Sequence, residues 1–234
     1  GPYERISLVA HYIKNNKPNS KIIVLDQKDK FSKQALFSNG WKELYGDLIE
    51  WRAAQFGGKV VSVDPVKKIV VTEDEEIKAD VLNYIPNQKA SQLAFDSGLV
   101  ADGKDWCDIH PKTFESKLVK NVHVIGDASN AAPMPKSAFS ASTQGKVVAL
   151  QIARMLKQQE PLNPPKLANT CYSLLSPNYG ISIAAVYNAL DDKIQNVDGA
   201  GGVSPETDPD GHIRILEAKY AYAWYESQTA DIFK

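Results

Sequence analysis

The chain has 234 residues, 43% hydrophobic and 24% charged, enough apolar material for a sizeable core in about one or two domains. Its formal net charge of −1 offers no basic field to nucleic acid or an anionic membrane surface, and no apolar run approaches the roughly 18–20 residues of a membrane span. The two cysteines, Cys107 and Cys171, do not make a disulfide framework, and His11, His110, His123 and His212 lack metal-ligand spacing and read as structural or surface residues.

The first predicted element is a helix over residues 4–14, with Ile6, Ala10 and Ile13 on one face and Asn15 and Asn16 closing it before Pro18. Residues 21–26 are a predicted strand ending in Asp26. In a dinucleotide-binding fold an acid at that place bonds the adenosine ribose, but no Gly-x-Gly-x-x-Gly turn occurs anywhere in the chain. Asp26 is therefore read as a helix cap or surface acid. Strands are predicted near residues 59–64, 68–72 and 81–85. Cys107 follows Trp106 and is flanked by Asp105 and Asp108, which disfavour a thiolate and mark it as structural.

Residues 122–125, with Val122, Val124 and Ile125 around His123, read as a buried strand that stops at Gly126-Asp127. A loop with Pro133 and Pro135 leads to a predicted helix over 137–156, carrying Val147, Val148, Leu150, Ile152, Ala153 and Leu156 in helical rhythm. An acid at a strand end before a helix N-terminus suits a flavin: the carboxylate can accept from ribityl hydroxyls, and the helix start can stabilise charge on the ring's N1–C2=O edge. The plain alternative is a strand that ends in Gly-Asp because the chain turns. Lys136 either adds to that positive potential or is a solvated lysine, and Phe139 reads as packing, including against a flavin ring.

The proline-rich stretch Glu160-Pro-Leu-Asn-Pro-Pro165 reads as a connector. Beyond it come a predicted strand over 181–187, a surface loop over 198–210 holding the turn-like Gly199-Ala-Gly-Gly202, a short strand over 213–216 and an aromatic-rich helix over 220–228. Taken alone, Cys171 reads as a buried core thiol.

The run Gly126-Asp-Ala-Ser-Asn-Ala-Ala-Pro-Met-Pro-Lys-Ser137 resembles the second flavin-binding motif of the flavoprotein subunit of flavocytochrome c sulfide dehydrogenase. Gly1-Pro-Tyr-Glu-Arg5, Phe31-Ser-Lys-Gln34, Gly40-Trp41, Thr113-Phe-Glu-Ser116, Asn169-Thr-Cys-Tyr-Ser173 and Tyr222-Ala-Trp-Tyr225 resemble further blocks of that family, in its order. The resemblance implies an α/β fold in three parts: a second nucleotide-binding-like domain over 1–100, the C-terminal part of the FAD-binding domain over 101–163, and a small α+β C-terminal domain over 164–234.

It also implies FAD-dependent oxidation of hydrogen sulfide through a redox-active cysteine pair, with electrons passed to a cytochrome c haem subunit in the periplasm. Cys171 is the catalytic cysteine in this reading, paired with a cysteine of a Cys-Pro-Pro segment that in the family precedes the Gly-Pro-Tyr-Glu-Arg block. Gly126, Asp127, Lys136, Ser137, Phe139, Thr170 and Trp224 are the cofactor-binding set, with no metal. The family's first βαβ unit and its flavin-linking cysteine are not in this sequence, so the chain is expected to be a C-terminal fragment, inactive alone and holding flavin weakly. Gly1-Pro2 fits the family and also fits a protease scar. Two rivals stay open: a sulfide:quinone reductase-like flavoprotein, and a cofactor-free folded fragment, which could self-associate.

Overall fold

The computed structural model describes residues 1–233, a mixed α/β chain that packs as two compact units. One comprises 1–85, 172–182 and 204–234; the other comprises 86–171 and 183–203. These limits differ from the sequence-based 100 and 163 because the chain leaves and re-enters the second unit inside two long strands, not at linkers. Among the described residues no helix is long and apolar enough to cross a membrane.

In the first unit, α1 (Pro2–Asn16) contains the expected helix. Proline tolerates its start, where the missing N–H would have no intrahelical partner. Ser7 and Ala10 on α1 are fully buried, and Ser7 is satisfied there: its Oγ donates to Tyr3 O (2.8 Å) and accepts from Trp41 Nε1 (2.8 Å). Strand β1 (Ile22–Leu25) is the expected one. Between it and its parallel partner β2 (Ile49–Arg52) lies α2 (Gln34–Tyr45), which buries Leu36, Phe37, Gly40, Trp41 and Tyr45. The core joins that face to Ala10, Leu175 and Ile181, with the Tyr3 and Phe31 rings stacked at 3.7 Å.

Asp26, just past β1, is neither a cap nor a surface acid. It is 6% exposed and accepts from Tyr3 Oη (2.6 Å), Trp51 Nε1 (3.2 Å), Lys28 N (3.0 Å) and Lys28 Nζ (2.8 Å). Burial opposes its charge, but the donors from Lys28, Tyr3 and Trp51 outweigh that and hold the carboxyl below its ordinary range. The sequence reading missed this because three of the four donors come from side chains, two of them 23 and 25 residues away.

Strands β3 (Val60–Asp64), β4 (Ile69–Thr72) and β5 (Glu76–Lys78) form an antiparallel meander, the first two as expected. The strand expected over 81–85 does not form. Val81 is 84% exposed and Tyr84 57%, so the apolar run pairs with no ladder and stays at the surface.

The second unit begins with the short α3 (Gln92–Asp96) and long irregular segments. The strand expected over 122–125 is reduced to one bridge, Glu115↔His123. Val124 is buried, but Phe114 opposite it adopts φ 58°, a left-handed turn that cannot continue a ladder, and Ile125 is exposed. Helix α4 (Ala138–Leu156) matches expectation, with Ser137 as its N-cap. Its inward face differs in part: Ser140, Gln144, Val148 and Gln151 are buried at helical spacing, while Leu150 and Leu156 are exposed.

Strands β6 (Lys166–Ser176), β7 (Tyr179–Ala189) and β8 (Ile194–Val203) form a three-stranded sheet in that order. Strand β8 replaces the first part of the loop expected over 198–210. Within the glycine cluster Gly201 is a site of close approach, because a Cβ there would strike the carbonyl of Ala184 on β7. Residues 213–216, expected as a strand, lie inside α5 (His212–Phe233), which also contains the expected helix over 220–228. Its buried residues, Arg214 and Ala218, are one helical turn apart, so the four-residue apolar alternation was too short to distinguish the two periods. Gly180 on β7 lies where a Cβ would meet the α5 backbone at Glu217 and Ala218.

Candidate functional site

Of the eight residues singled out, seven fall in the second unit, and they sit around the start of α4. The segment before it is a 3-10 turn, Gly126–Ala128. Gly126 takes φ 66°, and its amide donates to Gln144 Oε1 (2.7 Å), a buried side chain reaching back from α4. Ser129 closes the turn through N and Oγ, which donate to Gly126 O at 3.1 and 2.9 Å. Asp127 is thereby held on the outside of the turn, with an exposed side chain.

Lys136 is not simply solvated. Its ammonium donates to the carbonyls of Asp127 (2.6 Å) and Ser129 (2.9 Å) and lies 3.6 Å from the centroid of the Trp106 ring. Burial lowers its pKa, opposed by the charge of Asp127. Cys107 is 0% exposed in the core, and its thiol is pushed up first by burial and also by Asp108, with Lys136 opposing. That environment keeps the thiol protonated and enclosed, in line with a structural part.

At the helix start, Ser137 Oγ accepts from Ser140 N (3.1 Å) and donates to Asn169 Oδ1 (2.5 Å). Ser140 Oγ donates to the same oxygen at 3.1 Å. Asn169, 3% exposed on β6, turns its Nδ2 to Cys171 Sγ at 3.2 Å. Strand alternation puts residues 169 and 171 on one face and Thr170 on the other. A chain of three side chains thus ties the half-buried Cys171 to the N-terminus of α4. Phe139 is half-buried in the first turn, and Trp224 is half-buried on α5, in the other unit.

The first turn of α4 has no acidic residue, so the positive end of the helix dipole is not offset by a carboxylate of its own turn. Asn169, Ser140, Gln144 and Trp106 were not among the expected site residues. The two-residue spacing of Asn169 and Cys171 on a strand was the one signal that could have found Asn169.

A family model described as "Sulfide dehydrogenase [flavocytochrome c] flavoprotein chain, central" matches residues 1–86. One described as "Flavocytochrome c sulphide dehydrogenase, flavin-binding" matches residues 163–233. Between them they take in more than half of the sequence. The chain belongs to the flavocytochrome c sulfide dehydrogenase flavoprotein family. It is a flavoprotein chain of the sulfide dehydrogenase type, FAD is the cofactor of the intact protein, and the family's name pairs such a chain with a cytochrome c. Thr170, Cys171 and Trp224 lie inside the flavin-binding match, whereas 126–139 lie between the two matched stretches.

The second unit's residues fit a flavin on physical grounds. An exposed carboxylate at Asp127 suits hydroxyl donors, and a helix start with an uncharged cap and no acid in its first turn suits an electron-rich ring edge.

Proposed function

We propose that the chain supplies the sulfur-handling site of a periplasmic sulfide:cytochrome c oxidoreductase. Cys171 works with a second cysteine that these 234 residues do not include, and Trp224 belongs to the electron-transfer side. The observation that carries the reading is the hydrogen-bonded chain Ser137–Asn169–Cys171, which ties the candidate sulfur to the helix start suited to the flavin edge. Cys107 is not the second cysteine, since it is enclosed in the core.

In the first step hydrosulfide attacks the cysteine disulfide. The S–S bond breaks, a persulfide forms on one sulfur, and the other leaves as a thiolate, with no change in the total electron count. FAD, when bound, supplies acceptance of the electron pair and its one-by-one release to haem. This chain's contributions are positional: Asp127 and the start of α4 hold and polarise, Lys136 and Gln144 fix the 126–129 turn, and Asn169 orients the sulfur.

The test is sulfide-dependent reduction by the flavin-loaded protein. Rapid electron delivery to ferricytochrome c, and none to a soluble quinone analogue, is expected; preference for the quinone would overturn the acceptor assignment and favour the sulfide:quinone reductase reading.

We further propose that these residues alone hold flavin weakly, as the sequence contains no Gly-x-Gly-x-x-Gly turn for the pyrophosphate. Charge-assisted hydrogen bonds are worth roughly 1.5–3 kcal/mol each, so losing the pyrophosphate contacts costs several. Gel-filtered chain is expected to lack visible flavin bands, and a stoichiometric flavin spectrum would refute this.

Lys136→Met keeps the stem over Trp106 but removes the charge beside the helix start. In the flavin-loaded protein it is expected to lower the reduction potential by a few tens of millivolts, since about 30 mV of a two-electron couple corresponds to roughly 1.4 kcal/mol. A redox titration with no shift, or an upward one, would confine Lys136 to bracing the turn.

A further inference from the structure

We propose that Asn169 is the positioning residue of Cys171, its side-chain N–H donating to the sulfur and favouring the thiolate. The inference rests on the reading of Cys171 as the working cysteine.

The orientation of the Asn169 amide follows from its other contacts. Ser137 Oγ already accepts the Ser140 amide, so its own proton is available to give, and the 2.5 Å separation from Asn169 suits O–H···O and is too short for an amide nitrogen. Ser140 Oγ donates to the same oxygen at 3.1 Å. With both hydroxyls on Oδ1, the NH2 group faces Cys171 Sγ at 3.2 Å; the thiol can also give its proton to Oδ1, 3.6 Å away, an option the thiolate does not have. The residue is 3% exposed, so water does not compete for that donor, and the helix cap that fixes Ser137 also fixes the amide. An N–H aimed at sulfur stabilises a thiolate more than a thiol, because a hydrogen bond to an ion is about twice as strong as a neutral one.

In the cysteine exchange proposed above, this lowers the cost of the step in which a sulfur departs with a full charge. The isolated chain gives a readout independent of flavin and sulfide, since only the thiolate alkylates. Iodoacetamide labelling of the reduced chain, resolved by peptide mass spectrometry, follows Cys171 separately from the enclosed Cys107.

Asn169→Asp is the informative variant. It keeps the shape and the oxygen that accepts from Ser137 and Ser140, but replaces the donor with a carboxylate. Labelling of Cys171 is expected to slow by about ten-fold or more at a pH near the ordinary thiol range, the scale of one hydrogen bond to a charged group. A carboxylate beside the sulfur disfavours a thiolate by its own charge, so the uncharged Asn169→Leu is labelled in parallel: if Asn169 only supports the helix start, Asn169→Leu labels at the parent rate, and the proposal falls.

Should that variant fail to fold by circular dichroism, Ser140→Ala frees one of the two anchors of the amide. It is expected to slow labelling several-fold, and an unchanged rate overturns the proposal equally. Loss of sulfide turnover is scored separately in the loaded protein. A normal labelling response with a sulfide-inert enzyme would refute the functional reading alone, and the reverse pattern would refute Asn169 alone.

Discussion

Replacing Cys171 by serine in the flavin-loaded protein is expected to abolish sulfide oxidation while the flavin stays bound. The expectation separates chemistry from architecture. A serine hydroxyl still meets Asn169 and keeps the link to Ser137 and the start of α4, so local packing is retained. What is lost is the ability to form and break S–S bonds, for which a hydroxyl has no substitute. The control is Cys107→Ala. Cys107 is fully enclosed, and its thiol is raised by burial and by Asp108. The variant is expected to lose about 1 kcal/mol of stability, the order of one buried methylene-sized group, with turnover per folded molecule unchanged. Steady-state turnover together with the flavin-to-protein absorbance ratio decides it. Equal loss of activity in the two variants would refute the assignment of Cys171.

The largest stability effect is expected at Asp26, in the first unit. Its carboxylate gathers Tyr3, Trp51 and Lys28 behind β1, and Asp26→Ala leaves the Tyr3 hydroxyl and the Trp51 N–H without their acceptor. At about 1–3 kcal/mol per stranded donor, discounted because both rings are only half-buried, the expected loss is about 2–4 kcal/mol in urea unfolding.

The same cluster sets a pH dependence at both ends. The Asp26 carboxyl is held below its ordinary range in the folded chain, so its contribution is present above the unfolded value of about 3.9 and is lost as pH falls through the lower folded value. The Tyr3 phenol is pushed up to about 12, first by burial and then by its bond to Asp26. That contribution is present below the unfolded value of about 10 and is lost as pH rises toward the folded one. Asp26→Asn is expected to remove its share of the acid slope while keeping the shape of the cluster. An unaltered acid slope in Asp26→Asn would show that this carboxylate is not the titrating group.

How far the sequence reaches is visible element by element. Helices α1 and α4 were legible because apolar spacing and polar ends are written within a single stretch of chain, and Ser137 carries its capping role in its own side chain. Strands β1, β3 and β4 were legible as compact apolar runs. The same local signal misled at 81–85 and 122–125, because apolar character marks a tendency to be buried or extended and a strand also needs a neighbour to pair with. Helix α2 went unassigned although its Phe37 and Trp41 stand one turn apart.

Family membership was also legible, since motif order survives in a linear string. Tertiary structure alone decided the rest. The glycines at 199–202 are turn formers by composition, but β7 passes so close to Gly201 that no side chain fits there, and this makes the segment a strand. Asp26 became a buried hub, and Asn169 became the link between a helix cap and a sulfur, because hydrogen-bond partners distant in the chain arrive only when the elements pack. A carboxylate or amide has the same local propensity whether or not those donors arrive. Its burial, its charge state and its use are therefore settled by long-range contacts that the linear order of residues does not display.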